Sequence, residues 1–187
     1  FSAITAGLSM AAGLGHGTAL VLSLVGFGLL FVVHRTADTS KGLLAIFAFT
    51  GVMGASIGPM LTYYLAMPNG PSLVMQALGG TAIVFFGLSA YALTTRKDFS
   101  YMGGFLMVGL IGIVVVLLLG WFVLDLSAYQ MTISAFIVLL MGGFILFDTS
   151  RIIHGGETNY IMATISLYLS IYNMFVNMLI LLGGSRD

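Results

Sequence analysis

Three short runs of the chain hold residues that could do chemistry. Gly54-Ala55-Ser56-Ile57-Gly58 has the G-x-S-x-G spacing with which hydrolases raise a nucleophilic serine. That chemistry needs a strand–turn–helix around the serine and a histidine base beside it. Here the flanking residues are apolar, and His16, His34 and His154 all fall at the ends of apolar runs. Ser56 is therefore expected to pack as a small residue. His154-Gly155-Gly156-Glu157 offers one imidazole and one carboxylate, with no second histidine at helical spacing, so no metal site and no cofactor is expected. The same residues suit a helix terminus. His154 complements the dipole of the last turn, Gly155 suits the position just past it, and Thr158 or Asn159 can cap the next helix. Asp148 lies in Phe144-Ile145-Leu146-Phe147-Asp148-Thr149-Ser150-Arg151, about one helical turn inside an apolar run. A carboxylate there costs at least about 2.5 kcal/mol at the centre of a membrane helix, less near its end, unless paired or wet. Arg151, three residues on, could pair with it. Unpaired, Asp148 becomes a proton- or cation-sensitive position inside the protein.

What must position these residues follows from composition. The chain of 187 residues is 59% hydrophobic and 6% charged, with a mean hydropathy of +1.12. A soluble domain is roughly 25% charged, so this chain cannot coat a water-soluble globule. Six Lys+Arg balance six Asp+Glu, which leaves no charged face for nucleic acid. Without cysteine there are no disulfides and no thiolate metal sites. The remaining class is a polytopic membrane protein, and the twelve methionines read as lipid-facing or core filler.

Charges punctuate the spans. No charged residue occurs between Lys41 and Arg96, a run far longer than the about 20 residues that cross a bilayer. The turn cluster Met67-Pro68-Asn69-Gly70-Pro71 divides it. The whole chain then reads as a single seven-span domain over 1–187, with spans near 1–14, 18–34, 42–66, 71–94, 101–124, 130–152 and 160–183. The first is too short to cross comfortably, and the chain starts at Phe1 without the charged segment of a signal peptide. The expectation is a first span whose beginning lies upstream. Continuous apolar runs such as residues 112–119 exclude a membrane β-barrel, whose strands alternate.

Orientation follows from the basic loops. Arg35 and Lys41, Arg96 and Lys97, and Arg151 fall in loops of one parity, and the opposite loops hold neither Lys nor Arg. The basic loops and the N-terminus are expected in the cytoplasm and the C-terminus outside. Trp121, Phe122 and Tyr129 fit an outer aromatic belt, with Asp125 a solvated charge at a span end. Gly54-xxx-Gly58 and the pairs Gly79-Gly80, Gly103-Gly104 and Gly142-Gly143 predict close helix approach. Pro59 frees one backbone carbonyl in the third span and should kink it.

The runs Phe147-Asp148-Thr149-Ser150, Ile152-Ile153-His154-Gly155-Gly156-Glu157-Thr158-Asn159-Tyr160 and Ser166-Leu167-Tyr168-Leu169-Ser170-Ile171-Tyr172-Asn173 resemble the Bax inhibitor (TMBIM) family. Phe47-Ala48-Phe49-Thr50-Gly51, Ala77-Leu78-Gly79-Gly80-Thr81-Ala82, Ala90-Tyr91-Ala92-Leu93-Thr94-Thr95-Arg96 and the ending Gly184-Ser185-Arg186-Asp187 are similar to its bacterial YccA branch. The resemblance covers nearly the whole chain. It implies an all-α bundle of seven membrane helices with the last one central. It also implies a non-enzymatic protein of the bacterial inner membrane, in one of two functions. Members of that branch bind the membrane-anchored AAA+ protease FtsH and restrain its degradation of membrane proteins. Other members are pH-sensitive calcium leak channels, gated by an acidic pair in the sixth and seventh spans with an arginine from the second. Carried onto this chain, the sixth-span acid is Asp148 and the seventh-span position is Ser170. The arginine position falls at His34 or Arg35, and an acidic second-span position of some channels falls at Ser23. The carboxyl pair is thus broken, and Asp148 would answer to burial and to Arg151 or His34 instead. This favours the protease modulator over calcium permeation.

Overall fold

A computed structural model describes residues 1–122 and 126–184, with the backbone alone for Trp121 and Phe122. The helices are α1 (Ser2–Ala11), α2 (His16–Thr36), α3 (Lys41–Leu65), α4 (Gly70–Thr95), α5 (Met102–Phe122), α6 (Gln130–Ile153) and α7 (Tyr160–Gly184). A 3₁₀ turn, Ser127–Tyr129, precedes α6. The six expected full spans are α2 to α7, and all six are long and apolar enough to cross a membrane. Helices satisfy their backbone internally, which is what lipid demands. The expected first span is the ten-residue α1. Leu24, Phe31, Ile83 and Leu139 are each at least 70% exposed. Apolar faces of that extent need lipid around them. Tyr129 is exposed as expected of a belt residue, whereas the side chains of Trp121 and Phe122, and Asp125 and Arg186, lie outside the described residues.

The chain divides into two compact units. The first comprises Phe1–Val74 and Asn159–Ile165. Within it α1 and α2 both pack on α3. The close approach expected of Gly54-xxx-Gly58 is made to α1. A Cβ on Gly54 would stand 2.3 Å from the carbonyl oxygen of Ser2, and one on Gly58 would stand 2.3 Å from Ser9 Oγ. Two α1 hydroxyls use this proximity. Ser2 Oγ donates to the Thr50 carbonyl at 2.7 Å, and Ser9 Oγ donates to the Ala55 carbonyl at 2.7 Å. Ala55 is four residues before Pro59, which stands inside α3 and has no N–H to offer. Ser9 therefore covers the carbonyl that the proline leaves bare. Ser56 is buried and donates to the Met53 carbonyl at 2.8 Å.

The second unit comprises Met75–Thr158 and the residues from Ser166 onward. Its core is Leu106, Ile113, Ile137, Leu140, Met141, Ile145 and Met174, with Val84, Phe85 and Leu88 of α4 packed against it. Of the expected glycine pairs, Gly143 meets Leu106, Gly103 meets Phe147, Gly142 meets Leu88 and Gly80 meets Met178. Gly79 and Gly104 face open space. Neighbours on a helix point about 100° apart, so one glycine packs in each of the first two pairs, while Gly142 and Gly143 pack against different helices.

Candidate functional site

The C-terminal end of α6 is where polar side chains collect in the second unit. Asp148, Thr149 and Ser150 are buried there, and Ser150 is fully so. Thr149 Oγ1 lies 3.5 Å from Ser89 Oγ of α4. Ser150 reaches the loop between α4 and α5. Its Oγ accepts from the Phe99 N–H at 3.0 Å and donates to the Lys97 carbonyl at 3.2 Å. One turn on, His154 Nδ1 lies 2.8 Å from the Ser150 carbonyl oxygen, and Nε2 lies 3.0 Å from the Arg96 carbonyl oxygen. Arg96 has a φ of +49°, a left-handed conformation that turns the chain directly after α4. The same loop is tied internally. Asp98 Oδ1 accepts from the Ser100 amide and hydroxyl. Those bonds, the hydroxyl's first, hold its carboxyl below the usual range, with a smaller contribution from the charge of His154.

Asp148 is 8% exposed. Among the described residues no hydrogen bond or ion pair reaches its carboxylate. The pairing with Arg151 that its spacing allows is not made. Arg151 turns the other way, donating to the Gly156 carbonyl at 3.2 Å and standing 3.6 Å from Glu157. Its guanidinium carbon also lies 5.5 Å from the Phe147 ring centre. The loop explains the choice. Gly155, at a φ of +73°, folds residues 156 and 157 back so that both amides donate to the Arg151 carbonyl. Arg151 then meets Glu157 outside the helix, where both stay hydrated.

Ser170 is buried in α7 of this same unit. His34 and Arg35 belong to the first unit and are exposed at the end of α2, His34 with Nδ1 2.8 Å from the Leu30 carbonyl oxygen. Of Thr158 and Asn159, the two expected caps of α7, Asn159 is the one used. Its Oδ1 accepts from the amides of Ile161 and Met162, while Nδ2 donates to the Ala37 carbonyl and to Asp38 Oδ1. Ser150 and the long-range role of His154 escaped the sequence reading. Their spacing of four residues at a helix end was the available signal. G-x-S-x-G has no hydrolase context, since Ser56 lies within the continuous helix α3.

Comparison with known proteins bears on this arrangement. The family model described as inhibitor of apoptosis-promoting Bax1 matches residues 1–187. An Escherichia coli protein named modulator of FtsH protease YccA is 51% identical, covering 100% of this chain and 85% of its own length. A membrane protein of Vibrio cholerae is also 51% identical, over 97% of this chain and 82% of its own length. A Pseudomonas aeruginosa protein is 45% identical over 98% of this chain and 82% of its own length.

Proposed function

The chain belongs to the Bax inhibitor family, and from that premise we propose that it binds the membrane-anchored AAA+ protease FtsH and restrains it, as a regulator and not as an enzyme. The observation that carries this is the 51% identity, along the full chain, to a protein named for modulating FtsH. The bilayer is its second partner, and the site of action is the bacterial inner membrane, the location in which another 51% identical relative is named. The N-terminus and the loops holding Arg35, Arg96 and Arg151 face the cytoplasm, and the C-terminus faces the periplasm. Positive charge confined to alternate loops supports that orientation. The chain acts as one seven-span membrane domain. Physically, a tightly packed chain can occupy the protease without being unfolded by it, since extraction requires breaking the packed helix contacts one after another.

The test is co-purification of the chain with FtsH from mild-detergent membranes, together with the half-life of another membrane substrate of the protease. A complex and a lengthened half-life are expected. No complex and an unchanged half-life would overturn the proposal.

One observation favours a second reading, a pH-sensitive cation leak. Asp148 is buried without a hydrogen-bonded or ionic partner among the described residues, and Ser170 is buried in the same unit. An ionisable group placed so in a membrane protein marks a path for protons or cations, calcium among them. Arg151 is the basic group of the same unit that would tune it. Cation flux into vesicles that varies with pH and changes in Asp148→Asn is its expected sign, and flux equal to empty vesicles at every pH would exclude it.

A further inference from the structure

Arg96 stands just past α4 at a φ of +49°. Glycine fills such a position without strain, and an arginine fills it at a cost. A cation serving only the dipole of α4 could sit within the last turn, at Thr94 or Thr95, with ordinary backbone angles. The strained turn is braced from below. The His154 ring meets the Arg96 carbonyl, and the fully buried Ser150 takes the Lys97 carbonyl and the Phe99 amide. Strain kept in a braced loop marks a side chain in use. We propose that Arg96 and Lys97 form a binding site for the phosphate headgroup of an anionic phospholipid.

Charge and position select that occupant. Both side chains are exposed, and among the described residues neither makes an ion pair. The acids at this end of the second unit are engaged elsewhere. Glu157 faces Arg151, Asp98 is bound by the amide and hydroxyl of Ser100, and Asp148 is buried in α6. The loop joins α4 to α5, two helices long and apolar enough to cross a membrane, so it lies at the level of the headgroups. Tyr91, Phe99 and Tyr101 form a chain of rings with centroids 6.1 and 6.5 Å apart. Tyr91 and Tyr101 are exposed, and rings with a hydroxyl tip settle where headgroup meets acyl chain. Phe105 and Val108, on α5 and both at least 70% exposed, continue this surface toward the hydrocarbon. A phospholipid offers the matching order of phosphate, glycerol and acyl chain, and basic residues beside membrane helices take its anionic kinds. An acidic protein segment would match the cations but leave the exposed tyrosines and Phe105 without a role. Nothing in this inference depends on FtsH or on ion flux.

The experiment titrates the full chain, in a mild neutral detergent, with phosphatidylglycerol or phosphatidylcholine and counts bound lipid by native mass spectrometry. Phosphatidylglycerol is expected to bind more tightly. Its preference should fall about fivefold in Arg96→Gln or Lys97→Gln and about twenty-five-fold in the double variant, the worth of one and two basic residues at an anionic surface. A double variant Arg35→Gln/Lys41→Gln removes as much charge from another loop and should keep the preference. Arg96→Gly separates binding from folding, because its unfolding midpoint should rise while its preference for phosphatidylglycerol falls. Equal affinity for the two lipids overturns the proposal and leaves the cations to an acidic protein segment. An equal loss in the Arg35/Lys41 variant overturns it as well, showing a diffuse attraction in place of a site. Inorganic phosphate that displaces the lipid better than chloride of matched ionic strength overturns it in favour of a free anion.

Discussion

In α3 the hydroxyl of Ser9 covers the carbonyl that Pro59 leaves bare, and at the end of α6 the ring of His154 holds the carbonyl of Arg96. Both are side chains completing a backbone group that its own helix cannot satisfy. They differ in where they stand. The Ser9 bond lies between two apolar helices and is backed by Gly54 and Gly58, which let α1 approach within contact distance. The His154 bond lies in reach of water, made by an exposed ring. The same accounting of backbone polar groups therefore yields a joint shut between helices in one region and one open to water in the other.

Substitutions can break or sharpen that contrast. The largest effect is expected from Gly54→Leu. Its side chain would enter the space held by the backbone of Ser2, and lifting α1 off α3 should cost about 3 kcal/mol of stability in detergent–denaturant titrations. Ser150→Ala comes next. It strands the buried Phe99 N–H and the Lys97 carbonyl together and should cost about 2 kcal/mol, with the exchange of Phe99 showing that the damage is local. Ser9→Ala should cost about 1 kcal/mol, in keeping with single hydrogen bonds inside membrane proteins. Its cost should shrink on a Pro59→Ala background, where residue 59 supplies the missing N–H. A cycle with no coupling would show that Ser9 does not serve the proline's carbonyl. The smallest effect has the opposite sign. Arg96→Gly should gain about 0.5–1 kcal/mol by accommodating the left-handed φ, visible as a higher unfolding midpoint.

Much of this architecture was written in sequence patterns that act locally. Spans follow from where charge is absent, and their ends follow from turn residues, so α2 to α7 fall where expected. Gly155 was legible as a stop, and the cap was legible to within Thr158 or Asn159, because such positions constrain φ or need an acceptor irrespective of the rest of the fold. Gly54-xxx-Gly58 announced a close approach without naming its partner. That partner had a trace of its own, since Ser2, Thr5 and Ser9 lie on one face of α1 at helical spacing. Arg151 was less legible. Its spacing from Asp148 is correct for a pair, but the backbone turn at Gly155 brings Glu157 to it, and a hydrated pair is cheaper to form than one half-buried. Ser150 and His154 needed the loop near residue 98 to be brought to them across more than fifty residues of chain. No local pattern carries that information.

Asn159 sets an order of events. Its side-chain amide binds the carbonyl of Ala37, 122 positions earlier in the chain. At about 5–20 residues per second of synthesis, the α2–α3 loop exists for roughly 6–24 seconds before its partner is made. During that wait Ala37 and Asp38 must be kept by water or by other proteins. The start of α7 closes the first unit last, so a chain interrupted before residue 159 leaves the ribosome with that unit still open.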